Sequence, residues 1–128
     1  MTIRLDHTIV PARDKRASAR FFAEIFGLEV KPGDDYFAQV QVNDTLTLDF
    51  SDDVDDGEGS GQHYAFHVSD AEFDAIFARV KAKGIAYGAG PDHHTDGKIN
   101  RRRGGRGFYF EDPYGHLLEV MTVAETGS

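Results

Sequence analysis

Apolar and polar residues alternate along two stretches of the chain, and each stretch runs into one with helical spacing. In "HTIVPARD" (7–14) and "HYAFHVSD" (63–70), a histidine opens an extended segment and an aspartate closes it seven residues later, and the two runs lie 56 positions apart. Each aspartate reads as a helix N-cap, because its short carboxylate can accept the N–H groups that a first turn leaves without partners. Behind Asp14 come Ser18, Phe21, Phe22, Ile25 and Phe26, with Gly27 as the stop. Behind Asp70 come Phe73, Ile76, Phe77 and Val80 at i, i+3, i+4 and i+7, with Gly84 as the stop. Further on, "YFAQVQVNDTLTLDF" (36–50) predicts two strands turning at Asn43-Asp44, and "GFYFEDPYGHLLEVMT" (107–122) two strands turning at Asp112-Pro113-Tyr114-Gly115.

The chain therefore repeats itself, each half reading strand, helix, then two or three strands. Aligning "VQVNDTLTLD" with "FEDPYGHLLE" sets Asp49 in the place of Glu119 and leaves about 13 extra residues in the second half. They fall in the Gly-, His- and Arg-rich loop 88–106. Only the acidic, glycine-rich stretch 51–61 joins the halves.

Because side chains alternate between the faces of a strand, the pattern sorts them. Leu46, Leu48 and Phe50 share one face, and Thr45, Thr47 and Asp49 the other. Leu118 and Val120 oppose Leu117, Glu119 and Met121. Tyr64, Phe66 and Val68 oppose His63, Ala65 and His67. If the apolar face packs on the helices, the other carries His7, Asp49, His63 and Glu119 at repeat-equivalent positions. Two imidazoles with one or two carboxylates make a divalent-metal constellation. It suits Zn, Fe, Ni, Mn or Co, and three protein ligands leave positions open for water or substrate. His67 competes with His63 by parity; the match to His7 favours His63 and puts His67 at the rim. The adjacent histidines of "PDHHTD" (91–96) are weak ligands in a loop.

Composition narrows the setting. The 128 residues suit one domain's worth of core, and a formal charge of −8 argues against nucleic acid as the default partner. "DDVDDGEG" (52–59) and "KINRRRGGR" (98–106) read as solvated loops, the basic one also as a holder for an anionic ligand. With no cysteine there is no disulfide, thiolate nucleophile or thiolate metal site. No apolar run approaches the ~20 residues of a membrane span, and the opening "MTIRLDHTIV" lacks the form of a signal peptide. A cytoplasmic protein is expected.

On "LDHTIVPARDKRASARFFAEIFGLEV", "HYAFHV" and above all "GFYFEDPYGHLLEV", with its DPxGHxxE signature, the chain resembles the vicinal oxygen chelate superfamily. That group includes glyoxalase I, fosfomycin-resistance transferases, methylmalonyl-CoA epimerase, extradiol dioxygenases and bleomycin-resistance proteins. The resemblance implies an α+β fold of two βαβββ modules, about 1–57 and 58–128, forming a cupped mixed sheet with the helices outside. It also implies a divalent metal held by His7, His63 and Glu119, and homodimers whose sites draw on both chains.

Asp49 falls where glyoxalase I carries a fourth ligand, but is one methylene shorter than the glutamate there, which suits a base or a water-mediated contact. Tyr109 falls where the fosfomycin enzymes place a substrate-contacting tyrosine. Ile9 replaces their threonine, and no basic residues follow Glu119 as they do in those enzymes, which argues against a glutathione transferase acting on fosfomycin.

The expected chemistry is a metal acting as Lewis acid on two neighbouring oxygens of a small substrate. Asp49 is the candidate base, Tyr109 an orienting group, and Thr47, His67 and Arg103 candidate substrate contacts. The alternative is a non-catalytic small-molecule binder of the bleomycin-resistance type.

Overall fold

A computed structural model describes residues 3–32, 36–53 and 61–125. The chain divides into two compact units, Met1–Ser60 and Gly61–Ser128. The expected module boundary at 57/58, and most of the acidic run, lie outside the described residues. Each unit is a mixed sheet with one helix, so the class is α+β.

The first unit runs β1 (His7–Pro11), α1 (Lys15–Phe26), β2 (Ala38–Asn43) and β3 (Leu46–Ser51). Its sheet order is β1-β3-β2, with β1 parallel and β2 antiparallel to β3. The strand that would complete a βαβββ pattern is reduced to one antiparallel bridge, Val30 to Val40. Asp14 caps α1 as expected, its carboxylate accepting from the N–H groups of Arg16 and Ala17 at 3.1 Å each. Gly27 ends it at φ 71°, in the left-handed region that favours a residue without Cβ. The turn between β2 and β3 is Asp44-Thr45, one residue beyond the expected pair. Asn43 closes it from the strand end, its side-chain oxygen accepting from Thr45 N–H at 2.9 Å.

The second unit runs β4 (His63–His67), α2 (Asp70–Ala82), β5 (Tyr87–Gly88), a 3-10 turn (Arg102–Gly104), β6 (Gly107–Glu111) and β7 (Leu117–Met121). Its sheet order is β4-β7-β6-β5, with β4 parallel to β7 and the other pairs antiparallel. Here the N-cap expectation shifts by one residue. Ser69, not Asp70, caps α2, in a reciprocal capping box with Glu72 at 3.1 and 2.8 Å. Asp70 becomes the first helical residue, where its charge still suits the helix dipole.

Both cores follow the expected alternation. Val10, Val40, Leu48 and Phe50 are buried under α1, where Phe22 meets Phe50 with ring centroids 6.1 Å apart. In the second unit Phe108 is enclosed by Phe73, Phe77, Tyr87 and Phe110 at 5.1–5.9 Å. The DPYGH turn is held from within. Asp112 accepts from the backbone N–H groups of Tyr114, Gly115 and His116 at 2.8–3.0 Å. The fully buried His116 accepts the Gln62 N–H at 2.8 Å, fixing the chain just before β4. No described helix is long and apolar enough to cross a membrane.

Candidate metal centre

Strand register places the candidate residues of each unit in one row. In the second unit Ala65, Glu119 and Tyr109 lie side by side across β4, β7 and β6, with His63 two residues before Ala65. In the first unit Ile9, Asp49 and Gln39 lie across β1, β3 and β2, with His7 two residues before Ile9 and opposite Thr47. The repeat read from the sequence is thus a repeat of geometry within each unit.

His63 and Glu119 meet. The imidazole Nε2 lies 3.1 Å from Glu119 Oε1, and Nδ1 lies 2.9 Å from the Leu117 carbonyl. A carbonyl only accepts, so Nδ1 carries a proton, and Nε2 faces the carboxylate with its lone pair in the neutral ring or with an N–H in the imidazolium. Two acceptors at that distance call for a cation between them, a proton or a metal ion. Two N/O donors bound to one ion at about 2.0–2.2 Å stand roughly 3.0–3.6 Å apart, so this pair fits a shared ion. The Leu117 carbonyl accepts from Nδ1, a contact of the kind that orients histidines in metal sites.

His7 is prepared in the same way. Its Nδ1 donates to Asp6 Oδ2 at 2.8 Å, leaving Nε2 outward on an exposed ring. Its pKa is raised, first by the hydrogen bond to Asp6, against desolvation, and then by the charges of Asp49 and Asp6. Among the described residues no three His, Asp or Glu side chains gather as a metal set within the chain.

The remaining candidates separate. Asp49 is buried and accepts from Gln39 Nε2–H at 3.0 Å. Tyr109 is buried beside His63, the two rings stacked with centroids 5.9 Å apart. Its hydroxyl accepts from Arg102 Nη1–H, and Arg102 Nη1 also lies 3.8 Å from Glu119 Oε2. Burial pushes the Tyr109 phenol up, Arg102 pulls it down, and Glu119 raises it again.

His67 shares the His63 face but meets a different partner. It lies 3.1 Å from the Thr122 carbonyl, which makes its Nε2 a donor. Arg103 points to Glu125, at 3.9 Å, and Arg106 to Asp70 and Asp74, at 2.9 and 2.8 Å. In the PDHHTD loop His93 pairs with Asp92 at 2.7 Å and His94 with Glu111 at 2.6 Å.

One residue of this constellation, Gln39, is absent from the sequence reading, although it had a signal, since it precedes Asp49 by ten residues as Tyr109 precedes Glu119. Arg102 belongs to the basic run 98–106 read as a holder for an anionic ligand, but nothing in the sequence set it apart from Arg101 and Arg103.

Comparisons with known proteins identify the family. The family model described as Glyoxalase/Bleomycin resistance protein/Dioxygenase superfamily matches residues 4–120. The solved structure titled Oxidase ChaP-H2 is 50% identical, with a TM-score of 0.90 over 97% of this chain and 96% of its own. Oxidase ChaP-H1 is 46% identical, with a TM-score of 0.90 over 98% of this chain and 100% of its own. Metallothiol transferase FosB of Lysinibacillus sphaericus (strain C3-41) is 27% identical over 95% of this chain and 84% of its own length.

Proposed function

The chain belongs to the glyoxalase/bleomycin resistance protein/dioxygenase superfamily, and on that premise we propose that it is a metal-dependent oxidase acting on a small oxygen-rich substrate. The observation that carries the metal reading is the His63 Nε2–Glu119 Oε1 pair, two acceptors 3.1 Å apart behind an imidazole whose proton is fixed on Nδ1. Oxidation is favoured over isomerisation or thiol transfer because relatives at 46% and 50% identity are titled oxidases. The transferase relative stands at 27%.

When bound, a divalent ion such as Fe, Mn, Ni, Co or Zn supplies Lewis acidity towards neighbouring substrate oxygens. His63 and Glu119 would hold it. His7, its Nε2 free, completes the set from a second copy of the chain, so the working form is a homodimer with each site built by both copies. Asp49 keeps one carboxylate oxygen on Gln39 and offers the other to take a substrate proton. Tyr109 accepts from Arg102 and directs its own hydroxyl hydrogen to Glu119, so it positions the carboxylate and the guanidinium around the substrate.

Mixing separately prepared His7→Ala and Glu119→Ala proteins tests this. If sites are shared, each mixed dimer regains one intact site, and Mn²⁺ uptake measured by calorimetry returns although neither parent binds. Uptake that never returns on mixing, or that survives in either parent, would sink the shared-site reading. An unaltered chain that takes up no divalent ion would sink the metal reading itself.

A further inference from the structure

We infer that Arg102 is the specificity-determining residue of this site, selecting a substrate that presents two oxygens of one anion beside Glu119 and Tyr109. The inference rests on the metal reading above and extends it to the substrate.

Three observations on Arg102 converge. Its Nη1 bridges the two residues of the row, donating to the Tyr109 hydroxyl and lying 3.8 Å from Glu119 Oε2, while its guanidinium carbon sits 5.4 Å over the Tyr109 ring. A guanidinium carries five N–H donors; among the described residues the Nη2 and Nε groups of Arg102 meet no acceptor. The side chain is 44% exposed, so those donors face solvent at the edge of the Glu119 carboxylate. Held against the tyrosine ring, the planar fork suits two oxygens of one anion at once.

The loop that delivers Arg102 is built for it. Asn100 pins the base, exchanging backbone hydrogen bonds with Gly107 at 2.8 and 3.1 Å, donating from its amide to the Ala89 carbonyl at 3.0 Å, and accepting the Arg102 N–H at 3.2 Å. A Cβ at Gly105 would stand 2.7 Å from Thr122 Oγ1 and from Val123 Cγ2, so the loop lies tight on the end of β7. To turn there, the chain takes two successive left-handed residues, Arg103 at φ 55° and Gly104 at φ 76°. Arg103 is the sole described non-glycine residue with positive φ. A strained backbone held by its surroundings next to a candidate site is a mark of function. The loop belongs to the surplus of the second half, so the first unit has no counterpart; there Asp49 faces the neutral amide of Gln39.

A charge placed this way acts with opposite signs on two ligands. It competes with a cation at Glu119 and attracts an anion beside it. The test uses the full-length chain, Mn²⁺ alone in calorimetry, and 4-nitrocatechol as a chromophoric two-oxygen anion titrated into the Mn²⁺-loaded protein. In Arg102→Gln, Mn²⁺ affinity is expected to hold or rise while 4-nitrocatechol affinity falls roughly tenfold or more, as a lost charge-assisted hydrogen bond predicts. Arg102→Lys is expected to recover part of it, keeping the charge but losing the fork.

A merely structural arginine would lower both affinities together, and that outcome overturns the inference. So does an equal loss of 4-nitrocatechol binding in Arg103→Gln, or none in Arg102→Gln. If the unaltered chain takes up no Mn²⁺, both readings fall together. Uptake with unchanged 4-nitrocatechol affinity fells only the assignment to Arg102.

Discussion

The two units share one plan and differ in what surrounds the carboxylate at its centre. In the first, Asp49 sits buried against a neutral amide, and the histidine two residues before its row turns to a neighbouring aspartate instead. In the second, Glu119 reaches one methylene further, meets His63, and has an arginine and a tyrosine beside it. The same strands therefore hold a quiet polar pair in one unit and a charged cluster in the other. The repeat supplies equivalent positions, and small changes of side-chain length and one inserted loop give each its own surroundings. The difference teaches that the backbone repeat sets where chemistry can occur, while local charge sets whether it does.

The comparison can be pressed hardest through the cores. Phe108→Ala removes the hub of the aromatic cluster in the second unit and should cost about 3–5 kcal/mol in urea unfolding. Ile25→Val in α1 should cost only about 0.5–1.5 kcal/mol, because one methylene leaves a small void. Costs that coincide would deny the cluster its central place.

The carboxylates come next. Glu119→Gln should weaken Mn²⁺ binding roughly 100-fold or more, since the ligand must be an anion. Asp49→Asn should leave it within about threefold, as expected of a base rather than a ligand. Calorimetry that ranks them the other way would make the first unit the seat of the metal.

Their partners sharpen the contrast further. Gln39→Leu strands a buried Asp49 oxygen and should destabilise the fold by about 1–3 kcal/mol. Tyr109→Phe leaves behind a half-exposed Arg102 that water can serve, and should cost less than about 1 kcal/mol. Thermal unfolding of both variants at one pH decides it.

The smallest effect is at His7, whose raised pKa should show in a metal-free NMR titration as a midpoint above 6.5. Asp6→Asn should bring it down, because the Asp6 hydrogen bond is the main cause of the rise. The sign follows from linkage. A histidine with a raised folded pKa contributes stability that is fully present below its unfolded value and fades as pH climbs through the folded one. On so exposed a ring the change in stability will be slight.

Much of this was legible in the sequence because the determinants are local and duplicated. The 56-residue offset predicted β1 and β4 at equivalent places, and alternation gave the faces that bury Val10, Leu48, Phe50, Leu118 and Val120. The α2 cap was misplaced by one residue because two good caps stand side by side, and the reciprocal Ser69/Glu72 pairing outcompetes Asp70. The sequence left two or three strands open after each helix, since Val30 looks like any strand valine and only pairing shows that, among the described residues, it forms a single bridge.

At the site, parity left His63 and His67 equal, and the match to His7 alone favoured His63. What separates them is which carbonyl or carboxylate each meets across to the β7 strand and its end, a property of register that no single strand reveals. The same holds for the arginines. Three in a row are one composition, and a left-handed turn at Arg103 is what sends them to different neighbours.

One imidazole is closed off from solvent. His116 is sealed in the fold with its nitrogen accepting a backbone amide, so an acylating reagent that counts reactive histidines should miss it until the protein is denatured. Of the six histidines in the chain, that one reports on whether the protein is intact. The rate at which it becomes labelled would clock the opening of the tight turn between the last two strands.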